Sequence, residues 1–474
     1  MVIHDRPYAA ESVTPSWLLG ENGTGPFKFL LSQHQAGLTT RGRSMQVVGS
    51  SARGTLARWS SVSSLLSQFG SDPLRSRYEG PYWQISSGTS LPKPLGEPEW
   101  KRPATSASAM AAKTIIIDHG SGFLKSGWSG WNYPQLIIPS IVNYIPCQEN
   151  PGPSYAQRQV SLGIDPCNPD TFSHPIERGH VINWEGVEHI WTCVLQHHKE
   201  ELEDCPVMLT DFPLKEPAAR KKTLEIMFEV LEVPSLFLAD QLEMSLYASG
   251  LLTGVVVDSG YGLTQVESFL LGCPLPNSKR TLEFGSEDLS TYLFKSIFKE
   301  KYDKHNLSQM DSVAMIQMRK CYVPNSLQEP LDFNQDLSCG SNEENTFYLP
   351  DGSPVELTPL ELMAPEMFFH PQVFGLQGPS ISQALVDSIE SCEVLWQKML
   401  MSHVVPCGGN SLYPGFTERL SQELNSGHSP YEATVWMNEK RHFSVWLGAS
   451  VVAHLSSYRS QWMPRQEYLE SMRL

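Results

Sequence analysis

Apolar positions along most of this chain recur either in short continuous runs or at helical spacing, and the switches between the two outline its elements. Thr114-Ile115-Ile116-Ile117 is an apolar run that predicts a buried strand, stopped by Asp118-His119-Gly120-Ser121-Gly122. Residues 123–128 then read as a hairpin partner returning from that glycine turn. Farther on, Val187, Ile190, Trp191 and Val194 fall at i, i+3, i+4 and i+7, so residues 185–195 predict an amphipathic helix. A strand over 207–210, a helix over 217–231 and a helix over 241–249 follow, the last closed by Gly250. The first pattern then recurs. Gly254-Val255-Val256-Val257-Asp258-Ser259-Gly260-Tyr261-Gly262 repeats the run and the Asp-x-Gly-x-Gly spacing 140 residues after the first copy. A third apolar run, Val404-Val405-Pro406-Cys407, meets Gly408-Gly409 and precedes a helix over 417–424. Strand, acidic glycine turn, hairpin and later helices thus occur twice in one order, which predicts a duplicated α/β fold of two lobes around a central cleft.

Residues 1–109 break this pattern. They are rich in Ser, Gly, Pro and Arg with few apolar clusters, so burial there does not offset the entropy of ordering. The expectation is a disordered leader, with Met110 a candidate true start and 110–474 the folded domain. In that domain the second lobe begins near 240 and the chain crosses back near 440. The net charge of −16 is uneven: residues 110–474 hold 24 Lys/Arg against 44 Asp/Glu, a balance of −20. Such a body repels duplex phosphates, which argues against nucleic acid as a partner. The nine cysteines are odd in number and contain no C-x-x-C pair, as expected of buried thiols in a reducing compartment; Cys407 is one of them. No run approaches the roughly 18 apolar residues of a membrane span, so no membrane insertion is expected. His197-His198 has no second ligand pair at metal spacing and reads as surface.

The repeated turn carries the candidate chemistry. Peptide N–H groups in a tight turn bind phosphate, and only glycine lets the backbone approach closely enough. Gly120, Ser121 and Gly122 suit one side of such a cradle, and Lys125 can add a point charge. Asp118 and Asp258, each at a strand end, can hold Mg²⁺ through waters, because that ion dehydrates reluctantly. One copy alone is more readily an ordinary Asp-Gly turn; the repetition on equivalent strands is what points to a clamp. The Gly408-Gly409 stretch can lie against a purine or ribose, or be simply a tight turn.

Three further segments are more specific. His174-Pro175-Ile176-Glu177-Arg178-Gly179-His180-Val181-Ile182-Asn183-Trp184, Ser245-Leu246-Tyr247-Ala248-Ser249-Gly250 and Phe443-Ser444-Val445-Trp446-Leu447-Gly448-Ala449-Ser450 resemble actin, and the resemblance runs in unbroken order from residue 113 to about 470. It implies two lobes around an ATP–Mg²⁺ cleft. Asp118, Gly120, Ser121, Gly122 and Lys125 match one phosphate loop; Asp258, Ser259, Gly260 and Gly262 match the other. Gly408, Gly409, Leu412 and Tyr413 match the adenosine loop, and Gln241 matches the glutamine that orients the attacking water. Tyr247, Gly250, Leu447, Val451 and Leu455 match the apolar groove where actin-binding helices dock.

The departures from that pattern shape the functional expectation. Tyr261 stands where actins have a third cleft aspartate, and Gln265 replaces a histidine, although glutamine cannot act as a general base. Gln317 and Met318 replace the lysine and glutamate that grip the nucleoside, Ala314 an arginine, and His442 another lysine. Each lost polar partner costs about 1–3 kcal/mol where it was buried. The loop at 147–155 is polar and proline-stiffened instead of apolar. Trp131 and Asn132 replace an acidic pair, and Ala111-Ala112-Lys113 an acidic terminus, used for motor contact. The resemblance therefore predicts a divergent, cytoplasmic, cytoskeleton-associated structural or binding protein. It would bind ATP or ADP weakly or not at all, with weak or absent ATPase activity and neither motor binding nor ordinary filaments. The alternative is a slow ATPase that polymerises or regulates filament assembly.

Overall fold

The computed structural model describes residues 113–145, 159–163, 172–199, 205–211, 217–299, 306–324, 345–349, 352–426 and 429–472. The expected leader and the polar loop at 147–155 lie outside the described residues.

Strand β1 (Ile115–His119) pairs antiparallel with β2 (Phe123–Trp128), which pairs with β3 (Leu136–Pro139). After helix α1 (Trp184–Lys199), strands β4 (Val207–Thr210) and β5 (Ser235–Ala239) add in parallel on the other side of β1. With Met463–Pro464 at the edge, they form a six-stranded sheet ordered Met463–Pro464, β5, β4, β1, β2, β3. Its centre is apolar on both faces, which explains the unbroken run at the start of β1. Ile115 and Ile117 join Val187, Trp191 and Val194 of α1 in one core, while Ile116 on the opposite face packs with Met244, Trp446 and Ala449.

Helix α2 (Gln241–Ala248) leads from this sheet to the next, and its faces serve both. Met244 and Tyr247 belong to the core with Ile116, whereas Leu242 and Leu246 pack with Val256 and Val405 of the second sheet. That sheet holds β6 (Gly254–Ser259) antiparallel to β7 (Thr264–Leu270) and parallel to β8 (Val404–Cys407). Helices α3 (Ser286–Phe298), α4 (Leu307–Arg319) and α5 (Phe416–Leu424) belong to the same lobe. The chain returns through α6 (Ser444–Val452), packed on α2 so tightly that a Cβ on Gly448 would lie 1.8 Å from the Met244 carbonyl oxygen. The two-lobed α/β architecture is as the repeat predicts.

Three local expectations need correction. The helix expected over 217–231 is α-helical only over Pro217–Glu225 and widens to a π-turn over Ile226–Val230, closed by Leu231 N–H to Ile226 O at 2.9 Å. Ile226, Met227 and Phe228, all buried, lie in the wider turn. His198 is not a surface residue: it is 4 % exposed and its Nε2 lies 2.9 Å from Ser126 Oγ. Burial, and secondarily the charge of His197, push its imidazole down to about 4. In the expected groove, Tyr247 and Val451 are buried and only Gly250, Leu447 and Leu455 are partly open. The Tyr247 hydroxyl donates to Glu243 Oε1 at 2.7 Å and accepts from Tyr458 at 2.7 Å.

Candidate functional site

The two acidic turns have the same geometry. Asp118 faces Lys125 across the β1–β2 pair and Asp258 faces Gln265 across β6–β7, and in each hairpin the first glycine closes the turn: Gly120 N–H to Phe123 O and Gly260 N–H to Leu263 O, both 3.0 Å. Each acidic strand also has a parallel neighbour, β4 beside β1 and β8 beside β6, so both turns emerge at sheet ends with their aspartates toward one cleft. The cleft is a cavity of about 490 Å³. Asp118, Gly120, Ser121, Gly122 and Lys125 line it from one lobe and Asp258, Gly260 and Gly262 from the other; Gly408, Gly409, Leu412, Tyr413 and Gln241 also reach it. Ser259 lies beneath the wall, 1 % exposed, its hydroxyl 2.9 Å from Thr264 Oγ1.

Charge is concentrated at the turns. Lys125 Nζ sits 2.9 Å from Asp118 Oδ2, and although burial works against its charge, Asp118 and then Asp258 hold the ammonium above its ordinary value. One lysine serves two carboxylates. Burial, opposed by Lys125 but reinforced by Asp118, pushes Asp258 up to about 6. Asp118 Oδ1 also accepts from Thr210 Oγ1 at 3.3 Å, and Gln241 Nε2 donates to the same hydroxyl at 3.4 Å, so Thr210 ties Gln241 to the acidic turn. Gln241 opens α2, where Asp240 caps the helix by accepting Glu243 N–H at 2.9 Å. Among the described residues no group of three or more His, Cys, Asp and Glu side chains is arranged to hold a metal. A Mg²⁺ here would rest on two carboxylates with water and phosphate oxygens.

Much of the remaining lining of the cavity is apolar or uncharged, with Arg441 the exception. Phe294, Met310, Val313, Ala314 and Met318 line it, and Gln317 spends its amide on Ser290 Oγ at 2.9 Å. His442 lines it too; burial first, then the positive charges of Lys125, Arg441 and Lys440, push it down to about 4, so it is neutral at pH 7. Arg441 directs its guanidinium to the Ser411 carbonyl at 2.9 Å. Gly408 holds the loop at φ +82°, and a Cβ there would meet the Ser259 carbonyl at 2.2 Å, so only glycine lets this loop touch the second turn.

Of the two substitutions expected inside the second turn, only one faces the cavity. The Tyr261 ring lines it and stacks on His174, centroids 6.1 Å apart and planes at 18°. Gln265 is 2 % exposed in β7, off the cavity wall, and its buried amide nitrogen has no hydrogen-bond partner among the described residues. Cys407 is a buried thiol that donates to Val257 O at 3.3 Å, and burial pushes it well above its ordinary value.

Sequence reasoning missed Thr210, Asn410 and Arg178. Asn410 Nδ2 donates to Ser259 Oγ at 3.1 Å and Gly260 O at 2.7 Å, pinning the third glycine loop to the second turn. Its place immediately after Gly408-Gly409 was the available signal. Arg178 reaches from the first lobe to Asp288 of α3, 110 residues on, a pairing no spacing rule reveals.

Comparison with known proteins agrees with this architecture. The actin family model matches residues 109–473. The chain is similar to actin-like protein 8 of Homo sapiens, 63% identical over 366 residues, which cover 77% of this chain and 100% of that protein. With the duplicated acidic turns, the paired sheets and a family match over most of its length, this chain belongs to the actin family.

Proposed function

We propose that this chain is a divergent actin-type structural or binding protein of the cytoplasmic cytoskeleton, whose cleft holds ATP or ADP with Mg²⁺ weakly or not at all and hydrolyses poorly. What supports this reading is the lining that would face the nucleoside: Gln317 is committed to Ser290, Met318 and Ala314 offer no charge, and His442 is neutral. The phosphate end, by contrast, fits a metal-bound phosphate. Buried Asp118 and part-buried Asp258 share one lysine, and burial, with Asp118 behind it, raises Asp258. Asp118 and Asp258 would hold the ion, Gly120, Ser121, Gly122, Gly260 and Gly262 the phosphates, and Lys125 would neutralise them. When bound, the metal would supply charge neutralisation at those phosphates.

Gln241, restrained through Thr210, can orient a water but cannot take its proton, and Gln265 is off the wall. Partner helices would dock along the partly open rim of Gly250, Leu447 and Leu455. The acidic body opposes nucleic acid, and among the described residues no helix is long and apolar enough to cross a membrane. The intact phosphate end favours a second reading, a slow actin-type ATPase that polymerises. Phosphate release and sedimentation of the purified chain with and without ATP–Mg²⁺ separate the two. The first expects little or no turnover and no nucleotide-dependent pelleting; sustained turnover with ATP-dependent pelleting would establish the second.

A further inference from the structure

Beside the glycine turns, where the two lobes meet, the side chain of Arg178 reaches from one to the other. Arg178 sits at the turn of the two-stranded hairpin Ile176–Glu177 and His180–Val181, anchored to the first lobe through Ile176 in the core with Ile115 and Val187. Its guanidinium crosses to the second lobe and makes four hydrogen bonds there: Nη2 to Asp288 Oδ1 at 2.7 Å, and Nη1 to Asp288 Oδ2 at 3.1 Å, to Glu283 O at 2.6 Å and to Gly262 O at 3.2 Å. A planar fork on a carboxylate is the strongest and most directional ion-pair geometry available to a protein side chain.

Both ends of the pair are held. Asp288 lies in the first turn of α3 and also accepts the Gly285 N–H at 2.9 Å. Arg178 is a non-glycine residue at φ +45°, in the left-handed region, and the next amide, Gly179 N–H, donates to Ser121 Oγ at 3.3 Å in the first acidic turn. Alongside, His174 of the first lobe stacks on Tyr261 of the second. A Cβ on Gly122 would come within 2.7 Å of the Tyr261 Cβ, so the two turns already touch.

We propose that the Arg178–Asp288 clasp is a built-in latch that holds the two lobes closed at the phosphate end without a ligand, and that opening the cleft requires breaking it. The latch does the bridging that a bound ligand would otherwise do, and it stands whether or not nucleotide binds. Hydrogen exchange read by mass spectrometry on the full chain, with no nucleotide added, tests it. In Arg178→Ala and Asp288→Asn, amides of the 119–123 and 259–263 turns are expected to exchange about tenfold faster, with Arg178→Lys intermediate. The double variant should be no faster than either single, and protection in β4 and β5 should be unchanged.

Because Asp288 also caps α3, its variant can lose helix stability; Arg178→Ala carries no such role and decides the matter alone. Unchanged turn exchange in Arg178→Ala would overturn the latch, as would turns in the unaltered chain that become protected only when ATP–Mg²⁺ is added. Tight ATP binding would refute the proposed function yet leave the latch standing if Arg178→Ala still opens the nucleotide-free cleft.

Discussion

Replacing Gly448 by alanine perturbs the point where the two lobe-crossing helices touch. The new Cβ would lie 1.8 Å from the Met244 carbonyl oxygen and 2.5 Å from its carbonyl carbon, and both neighbours are backbone that cannot swing aside. Ordinary C···O contacts begin near ~3.3 Å, so α2 and α6 must part by about 1.5 Å. Met244, Trp446, Ala449 and Val452 are 0 % exposed in the core these helices share, and a gap of even ~0.5–1 Å forfeits a quarter to a half of each dispersion contact. Overpacking of this kind costs about 1–3 kcal/mol, and the rigidity of the obstacle puts Gly448→Ala at or above the upper end. That outweighs the ~1 kcal/mol gained from replacing a helical glycine. Urea unfolding of the purified chain, fitted with a shared m-value, measures the difference. A Gly448→Ala variant within ~0.5 kcal/mol of the parent would refute the reasoning, because it would mean the helices are not in backbone contact.

His198 gives the fold a pH dependence. Folded, it stays neutral down to about 4, whereas the unfolded imidazole takes a proton near 6.5, so unfolding takes up a proton between those values and stability falls as pH drops through them. The loss approaches ~3 kcal/mol by pH 4, and thermal melts of His198→Gln should show a shallower decline from pH 7 than the parent. Placing charge in the lining proposed to face the nucleoside, with Gln317→Lys and Met318→Glu together, should tighten ATP–Mg²⁺ binding by at least about tenfold in a fluorescence titration. No gain there would mean these substitutions are not what weakens the site.

The elements that proved legible were those dictated by short-range physics. Two apolar runs ending in Asp-x-Gly-x-Gly leave the chain little choice but a hairpin, so the Asp118–Lys125 and Asp258–Gln265 registers followed from the turn itself. His198 was misread as surface, for want of a second ligand pair, although it lies four residues beyond Val194 on the buried stripe of α1 and periodicity would have been the better guide. Leu447, Val451 and Leu455 share an i, i+4 spacing yet differ in depth: Val451 is buried, whereas Leu447 and Leu455 are partly open. Long-range partners were out of reach. Nothing local connects Arg178 to Asp288, Asn410 to Ser259 or Gln241 to Thr210, since each pair is brought together only by the packing of separate elements.

Equilibrium binding of ATP–Mg²⁺ to the purified full chain, by isothermal titration calorimetry, tests the central claim most directly. The lining proposed to face the nucleoside, where Gln317, Met318, Ala314 and neutral His442 carry no charge, predicts no saturable binding tighter than about millimolar. A stoichiometric isotherm at micromolar affinity or tighter would contradict it.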